Sequence, residues 1–323
     1  VLIENITDLT DLDLSNSEIS DLTGINYFTN LNSLNCYNNN IFGTLVLNLP
    51  NLYNLWIGEN GLTDIDISQC NALMNLDVQY NLLSSIDLSN NIYLSQLNVN
   101  SNIINELNLD NNTELSTLHA SSTLIEEINL SMLDYISYIN LSNSNLTSIS
   151  LPTSNETIYN INLDGNYLTN LDLSSTIIDD LTINNNLLLS LDISNNNLQS
   201  LYANNNLFDC ILIGNNQNDT QNYYVDDNVS FSSNCNNSSY ILGCINEQSL
   251  NYNPEANYDD NSCNLFEFYP NPSYNYLEDT IYYYYEDGCF MDVIIPDDIY
   301  VIAKNSSDNI HGATANDFSY NYN

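Results

Sequence analysis

An apolar lattice with a period of about 21 residues runs through the first two thirds of the chain. It follows the template L-x-x-L-x-L-x-x-N-x-L in ten successive frames that begin at Leu9, Leu31, Leu52, Leu73, Leu94, Leu115, Ile136, Ile158, Ile178 and Leu198, spaced by 20 to 22 residues. A period this regular is what a solenoid demands, because each rung must offer the same apolar edge to the rung stacked beside it. In the frame "LMNLDVQYNLL", Leu76 and Val78 alternate with Asn75 and Asp77, the period of two that marks a short strand with one buried face. Asn81 stands where the chain turns out of the strand, and its amide can serve backbone groups that the turn leaves unpaired. That position is Asn in seven of the ten frames, and Ser17, Thr123 or Ser144 in the other three.

A second apolar pair follows the frames, as in Ile65 and Ile67, Ile86 and Leu88, or Leu191 and Ile193. Short turns rich in Ser and Asn leave little room for helix on that return side. The expected fold class is therefore a β-rich solenoid of about ten rungs over residues 1–208, with little helix. The lattice resembles leucine-rich repeat proteins, and its "LxxLDLSxN" return phrase is similar to the 21-residue variety of secreted Bacteroidota proteins, with internalins as more distant relatives. For function the resemblance implies a scaffold whose ligand is set by exposed positions.

The seven cysteines divide by context. Cys36 replaces an inward apolar residue and reads as a buried free thiol; Cys70 lies on a return segment, and a pair between the two is the alternative. Cys210 and Cys235 flank the end of the lattice, where a disulfide would close a terminal cap over residues 209–240. Residues 241–264 form a third region, "GCINEQSLNYNPEANYDDNSC", which resembles a small Cys-bracketed module of secreted marine bacterial and algal-virus proteins. Gly243, Cys244, Asn251, Tyr252, Asn253, Ala256, Asp259, Asp260, Ser262 and Cys263 match its pattern, whereas Asn246 and Asn261 depart from it. The resemblance implies a Cys244–Cys263 disulfide and oxidising surroundings. Cys289 is left over.

Residues 265–323 are Tyr-rich and lack the lattice, and are expected to form a β-rich tail or a small β-sandwich. "FYPNPSYNYL" resembles the opening of the sorting domain used by type IX secretion, although the usual glycines and basic ending are missing. The start at Val1, in a strand-like run, reads as a mature or trimmed terminus. Secretion or display at the cell surface is the expectation.

Charge narrows the partners. There are 41 acidic residues against a single cation, Lys304, which gives a net charge of −40. Nothing here can neutralise phosphates, so nucleic acid and anionic membrane surfaces are excluded as partners. No apolar run reaches the length of a membrane-spanning helix. Nucleotide chemistry has no Gly-rich phosphate loop to use, and the two histidines, His119 and His311, lie in different regions. An enzyme is not expected.

The template also assigns the exposed face. Residues that flank and separate the two inward strand positions point outward in columns along the concave surface, and Tyr37, Trp56, Tyr80, His119, Tyr138 and Tyr202 are assigned there. Aromatic plates among amides and carboxylates suit an extracellular glycan or protein ligand. A return-side column of Asp66, Asp87, Asn108, Asn129, Ser150, Asp172 and Asp192 stacks at about 4.8 Å per rung, close enough for a hard cation such as Ca²⁺ to bridge carboxylates. Asp259 and Asp260 are the second candidate pair for that ion, and no other cofactor is expected. The leading expectation is a non-enzymatic secreted or cell-surface binding or adhesion protein. The alternative is a structural protein that self-assembles into homo-oligomers, surface layers or filaments with divalent cations screening its charge.

Overall fold

The computed structural model describes residues 8–154, 156–215, 220–235, 241–247, 249, 251–259, 262–263, 302–303 and 311–312. The chain divides into two compact units, Val1–Ser238 and Ser239–Asn323.

The first unit is a leucine-rich repeat solenoid. Its main sheet has 11 parallel strands, one per rung, in chain order: Asp11–Asp13, Ser33–Asn35, Asn54–Trp56, Asn75–Asp77, Gln96–Asn98, Thr117–His119, Tyr138–Asn140, Thr157–Asn162, Ile177–Thr182, Ser200–Tyr202 and Tyr223–Tyr224. We number these rungs 1 to 11. The sole helical element among the described residues is a 3₁₀ turn at Ile25–Tyr27. The return side pairs in pieces: Phe42–Val46 with Gly61–Asp66, Glu127–Asn129 with Ser148–Ser150, and Leu191–Asp192 with Cys210–Leu212 and Ser230–Ser232.

The lattice positions do what the pattern requires. Leu73, Leu76, Val78 and Leu83 of rung 4 are buried, as are Leu94, Leu97, Val99 and Ile104 of rung 5. Each such side chain removed from water contributes roughly 1.5–3 kcal/mol, and stacking rungs in register makes one continuous core.

The lattice Asn staples adjacent rungs. Asn102 accepts from the Leu83 N–H at 3.0 Å and donates to the carbonyls of Val78 and Val99, both at 3.0 Å. Asn60, Asn81, Asn166 and Asn186 repeat this arrangement. Thr123 and Ser144 are too short: Thr123 Oγ1 donates to the Ala120 carbonyl at 3.0 Å, and the two hydroxyls meet at 3.1 Å. A second staple, not evident from the lattice, lies on the return side, where buried Asn91 donates to the carbonyls of Ile67 and Cys70, and Asn112 to those of Leu88 and Asn91.

The residue just before each lattice Asn is left-handed in all ten frames. The φ angles run from 51° at Glu59 and Tyr80 to 65° at Gly165. Asn holds the place in five rungs, at Asn16, Asn38, Asn143, Asn185 and Asn205, as expected of the residue that tolerates this conformation best after Gly.

The segment expected as a cap carries an eleventh rung. Leu201 pairs with Tyr223 and Tyr202 with Tyr224, while Ser230–Ser232 continues the return sheet beyond Cys210–Leu212. The Cys210–Cys235 disulfide, with Cα atoms 5.7 Å apart, closes the loop that contains this rung. Cys36 and Cys70 are both buried free thiols.

In the second unit, Cys244 and Cys263 are bonded, and Leu242–Gly243 pairs in parallel with Tyr258–Asp259. A Cβ on Gly243 would lie 2.8 Å from Asn253 Nδ2 and 3.1 Å from Ala256 Cβ, so the fold needs glycine there. Ile302–Ala303 and His311–Gly312 form an antiparallel pair. The rest of the Tyr-rich tail, Asp260 and Cys289 lie outside the described residues. No helix among the described residues is long and apolar enough to cross a membrane.

Candidate functional site: the outer face of the strand sheet

The outer face is ordered by where backbone donors point. In rung 2 the Cys36 N–H bonds the Trp56 carbonyl at 2.7 Å and the Asn38 N–H bonds the Gly58 carbonyl at 3.0 Å, both on the next rung. The intervening Tyr37 N–H points the other way and must find an acceptor elsewhere. Asn35, two residues back and last in the strand, supplies it from its side chain at 3.0 Å. Asp13, Asp77, Asn98, Asn140 and Asn162 do the same for Ser15, Gln79, Asn100, Ser142 and Asp164. Asp and Asn favour this site because a short side chain with an acceptor oxygen can bond its own backbone two residues on.

Four of the first ten rungs break that rule. The strand-end residue is Trp56 in rung 3, His119 in rung 6, Thr182 in rung 9 and Tyr202 in rung 10, and none of the four makes the bond. In rungs 6, 9 and 10 the preceding rung compensates: Asn100, Asp164 and Asn184 accept from the Ser121, Asn184 and Asn204 N–H groups. Trp56 and Tyr202 are 37 % and 40 % exposed, large rings in a column that otherwise favours Asp and Asn.

The sequence-assigned residues fall in different places. Trp56, His119 and Tyr202 share one register line with Asn35, Asp77, Asn98 and Asn140. Tyr138 opens its strand and packs at 5.9 Å on Tyr159, a neighbour the lattice reading omits. Tyr202 stacks at 4.7 Å on Tyr224 of the eleventh rung, also omitted. Tyr80 follows its strand in a left-handed turn at φ 51°, at the repeat position that Glu59 holds in rung 3, and lies near enough to Tyr37 to act on its ionisation. Leu82, Ile103 and Leu124, which follow the lattice position in rungs 4, 5 and 6, are also exposed.

Tyr37 and Trp56 come together in an open cleft of about 400 Å³, lined also by Ser15, Asn16 and Asn35. The Tyr37 hydroxyl donates to the Glu59 carboxylate, which pushes its pKa up to about 12. The Tyr37 ring lies over Gly58, where any Cβ would come within 3.1 Å of it. Farther along the column, burial raises the pKa of Asp77, opposed by hydrogen bonds from Gln79 and Asn98 and by the charge of His119.

The return-side acids are engaged locally. Asp66, Asp87, Asp172 and Asp192 each accept from the N–H of the Ser two residues on, at 2.9 Å, and those Ser contacts hold the pKa of the first three below the usual carboxylate range. Asn108 and Asn129 make the same turn. Among the described residues no three His, Cys, Asp or Glu side chains gather in a way that could hold a metal ion.

Fold and face together define a leucine-rich repeat solenoid with an aromatic-studded strand surface. Among solved structures, the leucine-rich repeat domain of APL1B matches with a TM-score of 0.55 at 18 % identity, over 71 % of this chain and 78 % of that one. The functional domain of InlJ from Listeria monocytogenes, described as including a cysteine ladder, matches at 25 % identity and a TM-score of 0.39. That match covers 66 % of this chain and spans 61 % of the InlJ domain. The effector YopM from Yersinia pestis matches at 22 % identity and 0.46, over 57 % of each chain. No protein-family model matches the sequence, and neither does any curated protein.

Proposed function

We propose that the solenoid is a non-enzymatic, secreted or cell-surface binding protein that takes an extracellular protein or glycan on the outer face of its strand sheet. One observation carries this reading: Trp56, His119 and Tyr202 replace Asp or Asn where those residues would satisfy the backbone. At Trp56 the loss of that bond forgoes about 0.5–1.5 kcal/mol, and at His119 and Tyr202 it is made good only by an Asn of the preceding rung, with no return in the core because these side chains face outward. Binding surfaces are where such local losses accumulate, since aromatic rings there offer large contact area at small entropic cost. His119 is flanked in its column by Asn98 and Asn140, which suits a hydrogen-bonding contact better than proton transfer.

A ligand must also accept the field of a chain with net charge −40. Neutral glycans and basic or neutral protein surfaces are compatible, and anionic ones are repelled. The test is a glycan-array and extracellular-protein screen of wild type against a Trp56→Ala/Tyr202→Ala double variant. Loss of the wild-type hits in the variant is expected. Hits of equal strength for both proteins would remove the strand face from consideration.

A further inference from the structure

Among rungs 1 to 10, rung 3 is the one broken rung whose backbone is not rescued. Trp56 has no acceptor to offer the Gly58 N–H, and the preceding rung places Tyr37 where Asn100, Asp164 and Asn184 stand for rungs 6, 9 and 10. Gly58 is buried, and its N–H has no partner among the described residues. By analogy with the other rungs, this donor points to the outer face, between the two rings that line the cleft. The other polar groups of the cleft are donors as well. Asn35 spends its oxygen on the Tyr37 N–H and Asn16 spends its own on the Asn38 amide, so each presents a free NH₂. The Trp56 indole N–H has no protein acceptor among the described residues, whereas the Ser15 hydroxyl is spent on the Asp13 carboxylate. The neighbouring N–H groups of Tyr37 and Gln79 are satisfied, so the backbone offers one isolated donor and not the row that an extended peptide would use.

We propose that the Tyr37–Trp56 cleft is a subsite for one N-acetylated hexosamine unit of a neutral glycan, whose acetamide oxygen accepts from the Gly58 N–H while its pyranose ring lies on the aromatic pair. This deepens, and rests on, the reading of the strand face as a binding surface. An acceptor-rich ligand with an apolar face complements a set of donors around two rings. Asp13 and Asp77 in the flanking rungs, and Glu59 behind Tyr37, rule against a carboxylate or sulfate in the same place.

Trp56 is the only tryptophan in the chain, so its emission reports on this cleft alone. Titrating the full chain with chitotriose should shift that emission and move the Gly58 amide resonance. Methyl N-acetyl-β-glucosaminide should do the same if a terminal unit is bound, whereas a response to chitotriose alone assigns an internal one. Cellotriose, which lacks the acetamide, should bind at least tenfold more weakly. Asn35→Ala should weaken chitotriose binding with the emission probe intact. Equal affinity for cellotriose, or a silent Trp56 and Gly58 with both acetamido sugars, would overturn the subsite. So would saturable binding of a neutral peptide at Trp56 in their place. If Trp56→Ala/Tyr202→Ala still abolishes hits in the wider screen while the sugars leave Trp56 silent, the strand face stands as a binding surface and only this assignment falls.

Discussion

Replacing Asn102 by Ala should cost this solenoid several times more than replacing Thr123 by Ala, although the two occupy the same place in successive rungs. Asn102 is 4 % exposed and joins three backbone groups: it accepts from the Leu83 N–H and donates to the carbonyls of Val78 and Val99. Val78 keeps a second donor in Asn81, so truncation orphans two buried groups, the Leu83 N–H and the Val99 carbonyl. At about 1–3 kcal/mol each, with a small cavity added, the expected loss is about 3–5 kcal/mol. Thr123 gives only a bond to the Ala120 carbonyl and a contact with Ser144, so Thr123→Ala should cost about 1 kcal/mol. Urea unfolding followed by circular dichroism measures the difference, and hydrogen exchange at the Leu83 amide localises it, which matters because a repeat array can open rung by rung. Two variants that agree within about 0.5 kcal/mol would refute the idea that the amide staple, more than apolar stacking, couples neighbouring rungs.

At position 56, Asn should be more stable than Ala by about 1–3 kcal/mol in urea, because only Asn gives the Gly58 N–H an acceptor; Ala at least as stable as Asn would contradict the unpartnered donor. Tyr80→Asn should stabilise by about 0.5–1 kcal/mol, since Tyr80 is left-handed at φ 51° and 55 % exposed, and a fall in the urea midpoint would mean that the ring makes a contact worth more than the strain. Thermal stability should peak near pH 4–5. The lowered pKa values of Asp13, Asp66, Asp87 and Asp172 give stability that is present above their unfolded value of 3.8 and lost as pH falls below it. The raised pKa of Asp77 has the opposite sign, helping below 3.8 and lost as pH rises through its folded value. Partial discharge of the 41 acids relieves repulsion on the way down, so a melting temperature that falls steadily from pH 8 to pH 5 would show that charge repulsion is negligible. Tyr37, raised to about 12, should contribute stability that is intact below pH 10 and lost between about 10 and 12; the loss should vanish in Glu59→Gln, as followed by tyrosinate absorbance.

The core was legible because apolar side chains must recur where rungs stack, so Leu76, Val78 and their equivalents could be placed from spacing alone. The Cys210–Cys235 pair was legible for a related reason, since a solenoid must close its last apolar edge. Rung 11 was hidden because Tyr223 and Val225 stand where the template expects Leu, and partial burial against the core is enough to hold them. The left-handed turn at Tyr80 was hidden because a residue pattern carries no φ, and an aromatic residue is an unusual occupant of such a turn. The return-side staple escaped notice because Cys70, Asn91, Asn112, Leu133, Thr176 and Asn196 occupy equivalent places with no common chemistry. Within the site, the spacing marked Tyr37 and Trp56 as outward. Gly58 and Glu59 matter through absent bulk and through a reach back to rung 2, and neither leaves a trace in hydrophobic periodicity.

The hydroxyls of Thr123 and Ser144 have a mechanical meaning. Elsewhere each lattice Asn is a rivet through neighbouring plates, but in rungs 6 and 7 the rivets are short, and Thr123 N–H and Oγ1 lean on Ser144 Oγ at 3.3 and 3.1 Å. A stack of plates under tension parts at its weakest joint. Here that joint lies beside His119 and separates a block carrying Tyr37 and Trp56 from one carrying Tyr202 and Tyr224. Stretched by a bound surface, the stack would open like a notched bar, at its middle, leaving both aromatic ends with their grip unchanged.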